Sequence, residues 1–362
     1  MPNELLDRIL QGDSVELLRT LPPCSIDMIF ADPPYNLQLQ GDLWRPNLTR
    51  VAAVDAAWDQ FEGFSAYDDF TRAWLKAAHG VLKDTGTIWV SGTYHNIFRV
   101  GAVMQDLGYW VLNTIIWHKP NAMPNFRGTR LKNDVEFVIW AKKSPGSTYT
   151  FQHHTMKQYN QGKQLGSVWS IPVCSGAERL RDAAGKKLHP TQKPEALIER
   201  ILTASTRPGD VVLDPFLGSG TTAAVARRLH RRWIGIEREA VYIEAAQRRI
   251  DSIIPLAESD PQLTNDLPKP GRIAFSTLVE RGLLHTGQVL RLDQPRLLAF
   301  VRNDGQLQTE AGLNGSIHKL AAALKQVPSC NGWKHWQYEH APGQWEPLDV
   351  LRRRYREQAT EG

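Results

Sequence analysis

The sequence predicts an α/β protein, a mostly parallel sheet covered on both faces by helices, followed by a small α+β domain. Three observations predict this. Short apolar runs, bounded by glycine, proline or aspartate, alternate with helix-forming stretches up to about residue 253. A stretch with four prolines, residues 255–271, then breaks the pattern, and shorter alternating runs follow it. At 362 residues the chain has room for one large and one smaller domain.

Residues 25–31 (SIDMIFA) read as a buried strand that runs into Asp32-Pro33-Pro34-Tyr35. Two prolines cannot continue a central strand, so the chain leaves the sheet there. Residues 86–92 form another apolar run between glycines, with a helix over 96–107 and strands over 110–117 and 134–141. Residues 142–192 are polar and irregular, and no element is assigned to them. Pro194 opens a helix at its first position, reaching Ser205. A strand over 210–213, a glycine-bearing turn, a helix over 221–229, a strand over 233–237 and a helix over 240–253 complete the first domain. The expected organisation is 1–254, a linker 255–271, and a second domain 272–362 with a helix near 316–324 and Trp333, Trp336 and Trp345 close together.

Composition narrows the class. Hydrophobic residues make up 42% of the chain, and no run of eighteen apolar residues offers a membrane span. The first residues, Met1-Pro2-Asn3-Glu4, lack the basic and then apolar pattern of a signal peptide. Three scattered cysteines suit neither a disulfide framework nor a zinc site, and a cytoplasmic location is expected. No metal is expected. The net charge of +5 is mild, but Arg227, Arg228, Arg231 and Arg232, and again Arg352, Arg353, Arg354 and Arg356, are clustered. Such runs are either solvated helix faces or phosphate-facing surfaces.

Asp214-Pro215-Phe216-Leu217-Gly218-Ser219-Gly220-Thr221-Thr222 joins a strand to a helix. Units of this kind bind ligands at the strand's carboxyl end, where glycines admit a close approach and the helix start favours a carboxylate. Glu237 ends the next strand, where an acidic residue grips ribose hydroxyls. Gly-Ser-Gly-Thr-Thr lacks the third glycine of the dinucleotide fingerprint, which argues against NAD.

Asp32-Pro33-Pro34-Tyr35 is similar to the catalytic tetrapeptide of enzymes that methylate an exocyclic amino group, and the glycine loop is similar to the one that cradles S-adenosylmethionine. The catalytic motif precedes the cofactor loop, which is the permuted order of the β group of DNA amino-methyltransferases. The resemblance implies a Rossmann-like methyltransferase sheet with Asp32, Pro33, Pro34 and Tyr35 as catalytic residues. It implies cofactor contacts from Asp32, Asp214, Phe216, Gly218, Ser219, Gly220, Thr221 and Glu237. His189-Pro190-Thr191-Gln192-Lys193-Pro194 is similar to the segment that contacts the methionine moiety, which adds His189, Thr191 and Lys193. Gly12-Asp13 is similar to the turn that reaches the adenine, although Asp13 also reads as an ordinary helix cap.

The chemistry suits those residue types. The lone pair of an amino group on a base is delocalised into the ring. Two adjacent acceptors, the Asp32 carboxylate and the Pro33 carbonyl, would hold its N–H bonds so that the nitrogen turns pyramidal. Tyr35 would offer a face for the base. Positioning and preorganised dipoles then supply most of the acceleration.

Residues 30–39, 41–46, 94–101, 123–130, 316–319 and 328–333 resemble the cell-cycle-regulated adenine methyltransferases of the CcrM type, across nearly the whole chain. That resemblance implies adenine N6 methylation within GANTC in double-stranded DNA, base flipping, a homodimer associated with the bacterial nucleoid, and a C-terminal domain that reads DNA. It makes Arg45, Asn125, Arg127 and Arg130 candidates around the target, and Ser316, Asn331 and Trp333 candidates in the second domain. For Trp333 a place in a small core is the alternative. Asp at the head of the tetrapeptide is typical of adenine enzymes and Ser of cytosine N4 enzymes. A cytosine N4 enzyme and a non-catalytic DNA-binding regulator are the competing readings.

Overall fold

The computed structural model describes residues 1–37, 57–125, 128–182, 184–260, 263 and 273–360, with backbone alone at 57 and 356–360. It divides into two units, Met1–Asp266 and Leu267–Gly362.

In chain order the first unit contains β1 (Arg8–Gln11), α1 (Ser14–Thr20), β2 (Ile26–Ala31), α2 (Gly63–Val81), β3 (Leu82–Gly92), α3 (Ile97–Asp106), β4 (Trp110–His118) and β5 (Val135–Lys142). There follow α4 (His153–Gln158), β6 (Val168–Ser170), α5 (Glu195–Ser205), β7 (Val211–Asp214), α6 (Thr221–Arg228), β8 (Arg232–Glu237) and α7 (Ala240–Asp251). The strands form one sheet in the order β1-β8-β7-β2-β3-β5-β4-β6, parallel except for β5, which runs against both neighbours.

Alternation along β2 shows how the layers form. Met28 and Phe30 pack with Leu197 and Ile198 of α5, Ala223 of α6 and Ala246 of α7. Ile29 and Ala31 point the other way and pack with Leu18 of α1, Trp74 and Leu75 of α2 and Val100 of α3. Both faces of the strand are therefore dry, as in other parallel sheets. Helix α2 presents Tyr67, Thr71, Trp74, Leu75, Ala78 and Val81 at three- and four-residue spacing to that second layer.

Several boundaries differ from the sequence reading. Pro194 stands one residue ahead of α5, as its extended N-cap. Residues 142–192 do contain regular structure, α4 and the edge strand β6, whose few residues show no period. The stretch after α7 is not free of contacts. Leu256 and Leu263 pack on the first unit's core, and the Leu263 carbonyl accepts a hydrogen bond from Arg231.

The arginine cluster turns out to be spent inside the unit. Arg231 is 2% exposed and donates to the carbonyls of Thr206, Leu229 and Leu263. Arg227 pairs with Asp251, Arg228 with Glu195 and Glu199, and Arg232 with Asp7. Only Arg231 is fully buried, and the other three are engaged by carboxylates of the same unit in partly exposed pairs.

The second unit contains α8 (Phe275–Glu280), β9 (Val289–Leu292), β10 (Leu298–Val301), β11 (Leu307–Gln308), β12 (Asn314–Gly315) and α9 (Ile317–Lys325). It ends with α10 (Gly332–His335), β13 (Trp336–Ala341), β14 (Gln344–Pro347) and α11 (Leu348–Thr360). Its strands form an antiparallel sheet in the order β12-β11-β10-β9-β13-β14, over a core that includes Leu290, Leu292, Leu320 and Trp336. In the arginine run of α11, Arg352 and Arg353 pair with Asp349 and Arg354 with Glu346.

Candidate active site

The sheet order lines up the site. Strands β7 and β2 are neighbours, paired Val212 with Met28 and Leu213 with Ile29. Asp214 and Asp32, far apart in sequence, therefore stand at adjacent strand ends. On one side β8 brings Glu237, and β1 brings Gly12 and Asp13 beside it. On the other side β3 brings Ser91, reversed β5 brings Glu136 from its first turn of chain, and β4 delivers Lys119. A carboxyl end of an open sheet at the point where chain order reverses is where such folds bind ligands.

A cavity of about 340 Å³ opens over this edge. Gly12, Asp13, Asp32, Pro33, Pro34, Tyr35, His189, Thr191, Phe216, Gly218 and Glu237 line it, so most of the expected cofactor and catalytic residues meet there. Lys193, Asp214, Ser219 and Thr221 lie around a smaller adjoining space. That volume is in the range of pockets that hold a molecule of cofactor size.

The glycine loop is built to leave room. Gly218 and Gly220 both have positive φ, +52° and +76°. A Cβ on Gly218 would stand 3.0 Å from Nε2 of His189, and one on Gly220 would stand 2.8 Å from Cβ of Ala246 on α7. Glycine therefore serves two ends here: backbone geometry, and a close seat for loop and helix. Behind the loop, buried Arg249 donates to the Ser219 carbonyl, the Thr221 hydroxyl and the Glu195 carboxylate. The Thr221 hydroxyl itself donates to the Lys193 carbonyl, so loop and 189–194 segment are tied together. The Thr221 side chain thus turns toward the protein.

Glu237 accepts from the amides of Gly218, Arg238 and Glu239 at 2.8–2.9 Å. Asp13 receives the amides of Val15 and Glu16 on one carboxylate oxygen, so it is a helix cap as well as part of the wall. Phe216 packs edge-on against Trp74. His189 lies near-parallel to Trp58 and edge-on to Tyr242. Burial pushes its imidazole down to about 4, with Lys193 and Arg179 adding to the effect, so it is neutral at pH 7.

Asp214 accepts from the Phe216 amide and the Thr222 hydroxyl. Burial nevertheless pushes its carboxyl up to about 7. Between its ordinary value of 3.8 and about 7, the folded state holds a proton that the unfolded state has lost. Asp214 therefore makes stability fall as pH rises through that window, by up to about 1.4 kcal/mol per pH unit. His189 acts with the opposite sign, since its depressed value makes stability fall as pH drops from 6.5 toward 4. Urea unfolding of Asp214→Asn from pH 5 to 8 should show the Asp214 decline removed and any His189 rise left in place. Parallel curves for the two proteins would mean that Asp214 is ionised throughout.

The Asp32-Pro33-Pro34-Tyr35 turn is held on every side. Asp32 accepts from the Tyr35 hydroxyl at 2.7 Å on one oxygen and from the Lys193 ammonium at 2.6 Å on the other. The Tyr35 hydroxyl also meets Ser91 at 3.0 Å, and burial keeps it protonated, well above the usual tyrosine range. The Tyr67 hydroxyl of α2 donates to the Pro34 carbonyl. Asp59 takes the amides of Tyr35, Asn36 and Leu37 at 2.5, 2.9 and 3.0 Å, although it is only 8% exposed. Sequence reasoning passed over Asp59, Tyr67, Glu136 and Arg249, and Trp58 beside the cavity. None belongs to a motif, and only the fold brings them near. Lys193, whose residue lines the adjoining space, sets its ammonium on the Asp32 carboxylate.

The residues expected near DNA belong to both units. Arg45 and Arg127 lie outside the described residues. Asn125 and Arg130 lie on the loop between β4 and β5, and Arg130 donates to the Tyr94 hydroxyl at 2.9 Å. In the second unit Ser316 caps α9 and Asn331 caps α10. Trp333 is 6% exposed, so the core alternative describes it and the exposed contact does not. An ideal Cβ on Gly332 would sit 2.3 Å from the Ile317 carbonyl, which shows how closely α10 approaches α9. That approach sinks the next residue into the core, with Arg352 over its ring at 4.7 Å.

A permuted α/β sheet with an acidic, glycine-cradled cavity beside an Asp-Pro-Pro-Tyr turn is the frame of an amino-group methyltransferase. Residues 26–248 match the N6/N4 DNA methylase family, and residues 255–361 match the family described as restriction enzyme adenine methylase associated. The chain is 44% identical over 357 residues to the type II methyltransferase M.HinfI of Haemophilus influenzae, covering 98% of each. It is 42% identical over 244 residues to M2.LlaDCHI of Lactococcus lactis subsp. cremoris, covering 67% of this chain and 88% of that one. Among solved structures, the M1.HpyAVI–SAM complex is 26% identical with a TM-score of 0.51, over 67% of this chain and 98% of that one. The cytosine-N4-specific PvuII methyltransferase shares the fold at 24% identity and a TM-score of 0.53, over 70% of this chain and 88% of that one. The chain belongs to the N6/N4 DNA methylase family: it is a DNA methyltransferase, and its cofactor is S-adenosylmethionine. Across the described residues no helix is long and apolar enough to cross a membrane.

Proposed function

We propose that this chain is a site-specific, type II adenine N6-methyltransferase of double-stranded DNA, that it acts within GANTC, and that it works as a homodimer with the target adenine turned out of the helix. The observation that carries the adenine reading is Asp32, a carboxylate at the head of the tetrapeptide and at the wall of the cofactor cavity. The adenine-methylase-associated family matched by residues 255–361 supports it. GANTC, dimerisation and a nucleoid location rest on the resemblance to the CcrM type. A cytosine N4 enzyme is the second reading, because the same fold serves the PvuII enzyme. The domain roles proposed are catalysis by the first unit and DNA recognition by the second.

S-adenosylmethionine, when bound, supplies an electrophilic methyl group. Glu237 would grip its ribose, Asp13 would face its adenine, and His189, Thr191 and the glycine loop would surround the methionine end. Asp32 and the Pro33 carbonyl would accept the amino N–H bonds of the base. Tyr35, whose hydroxyl is turned inward onto Asp32, would contribute its ring to the wall.

Digestion of treated, unmethylated plasmid to nucleosides and mass measurement decides the base. N6-methyldeoxyadenosine is expected, and N4-methyldeoxycytidine would overturn the adenine reading. Sequencing that reports modified adenines tests GANTC on the same DNA.

Glu237→Ala should weaken S-adenosylmethionine binding about 10- to 100-fold, the loss of a charged hydrogen bond of about 1.5–3 kcal/mol. The same change frees the Gly218 amide, so the loop loosens as the grip is lost. Titration calorimetry measures it, and unchanged affinity would assign the ribose to another carboxylate.

A further inference from the structure

Beside Asp32 and Tyr35, three adjacent strands, β3, β5 and β4, contribute groups that the reaction chemistry has not used. Glu136 of β5 accepts from Lys119 at 3.0 Å on one oxygen. Its other oxygen faces the Tyr35 hydroxyl at 3.4 Å and the Lys193 ammonium at 3.9 Å. Those two donors are the same two that hold Asp32. The side chains of Lys119, Lys193, Glu136 and Asp32 are 10%, 7%, 15% and 16% exposed. Two carboxylates and two ammonium groups thus share a nearly dry space, with Ser91 and Tyr35 as the neutral members.

We propose that Glu136 is a positioning residue for methyl transfer: it draws the Lys193 ammonium and the Tyr35 hydroxyl between two carboxylates, so that Asp32 keeps acceptor capacity for the substrate amino group. An ionised carboxylate has about four lone-pair sites. Lys193 and Tyr35 each take one from Asp32, which leaves room for an amino N–H. Without the Glu136 charge, Lys193 has Asp32 as its sole anionic partner in this cluster and Lys119 has lost its own. Attraction in a poorly solvated space is strong, so the Lys193 ammonium would then compete harder with the substrate for Asp32. Burial favours a neutral lysine, yet Lys193 stays charged because Asp32 and then Glu136 face it, and its value is raised.

This inference rests on the amino-methyl-transfer reading and holds whether the base is adenine or cytosine. The test is single-turnover transfer of tritiated methyl to a GANTC duplex by excess enzyme, for the wild type, Glu136→Gln and Glu136→Asp. Gln keeps the volume and an acceptor for Lys119 and removes only the charge. Its rate should fall about 10- to 100-fold while the calorimetric Kd for S-adenosylmethionine stays within about threefold. Asp, shorter but charged, should recover at least about threefold over Gln. A Glu136→Gln rate within about twofold of wild type overturns the proposal. So does a parallel fall of rate and cofactor affinity with no recovery in Asp, which is the mark of a merely structural pair. If Gln does not fold, Asp carries the test: a rate within about tenfold of wild type at an unchanged cofactor Kd is expected from its retained charge, and a parallel fall of rate and cofactor affinity overturns the proposal. A wild type that transfers methyl to no DNA would sink the methyltransferase reading first and this inference with it.

Discussion

Asp32→Asn should lower methyl transfer on the order of 10²–10³-fold while cofactor affinity changes little, as for the loss of one preorganised polar group at a reacting centre. The carboxylate is the side-chain acceptor at the head of the tetrapeptide, and two donors, Tyr35 and Lys193, are arranged around it. Asn keeps the shape and one acceptor oxygen, so either Tyr35 or Lys193 can still be met. Asp32→Ala is a poorer probe. It would leave Lys193, 7% exposed, with Glu136 at 3.9 Å as its nearest anion. Breaking a buried pair in this way costs about 3–5 kcal/mol, so an Ala variant could lose activity by unfolding. Tritium transfer, with thermal unfolding and calorimetry as controls, reads the effect. An Asn variant that keeps more than about a tenth of the rate would remove Asp32 from its assigned role.

Removing the second unit by a stop after Asp266 should leave a folded first unit that binds S-adenosylmethionine and methylates duplex DNA at least about tenfold more slowly, with a smaller loss on single strands. Turning a base out of a duplex costs a few kcal/mol that a single strand does not require. The position of the cut matters. A stop after residue 254 would also delete Leu256 and Leu263, and with them carbonyl partners of His230 and buried Arg231. Donors left unpaired in that space destabilise the fold by about 1–3 kcal/mol each. Salt dependence of DNA affinity should fall by less than the arginine run of α11 suggests, because Arg352 and Arg354 are already paired within the unit. Equal losses on both kinds of DNA would reduce the second unit to general affinity, and undiminished duplex methylation would detach it from the reaction.

The parts of the fold that were legible in sequence are those with a local cause. The β2 strand announces itself by an apolar run stopped by two prolines, and the cofactor loop by glycines between a strand and a helix. What was not legible depends on partners distant in sequence. Helix α2 buries a clear apolar stripe, but nothing near it is a motif, and it went unread. Asp59 and Glu136 look like ordinary acidic residues until the fold brings three amides to one and Lys119, Lys193 and Tyr35 to the other. The arginine clusters were half legible for the same reason: a run of like charges shows its sign but not the carboxylates that pair with it. Trp333 follows a glycine in a polar turn, yet that glycine is what lets two helices close over the tryptophan.

The sheet order also fixes when the molecule can be completed as it leaves the ribosome. Strand β1 pairs with β8, and β7 and β8 lie between β1 and β2. At synthesis rates of 5–20 residues per second, Arg8–Gln11 waits roughly 10–45 s for its partner strand. Strands β2, β3, β5, β4 and β6 are all made by then and can pair as a half-sheet that already carries Asp32, Ser91, Glu136 and Lys119. Its β2 edge stays open and apolar until Val211–Asp214 arrives. An unpaired, apolar edge invites association with other chains. The groups proposed to act on the base are thus assembled before the glycine loop proposed to hold the cofactor, and an interrupted translation product would be sticky.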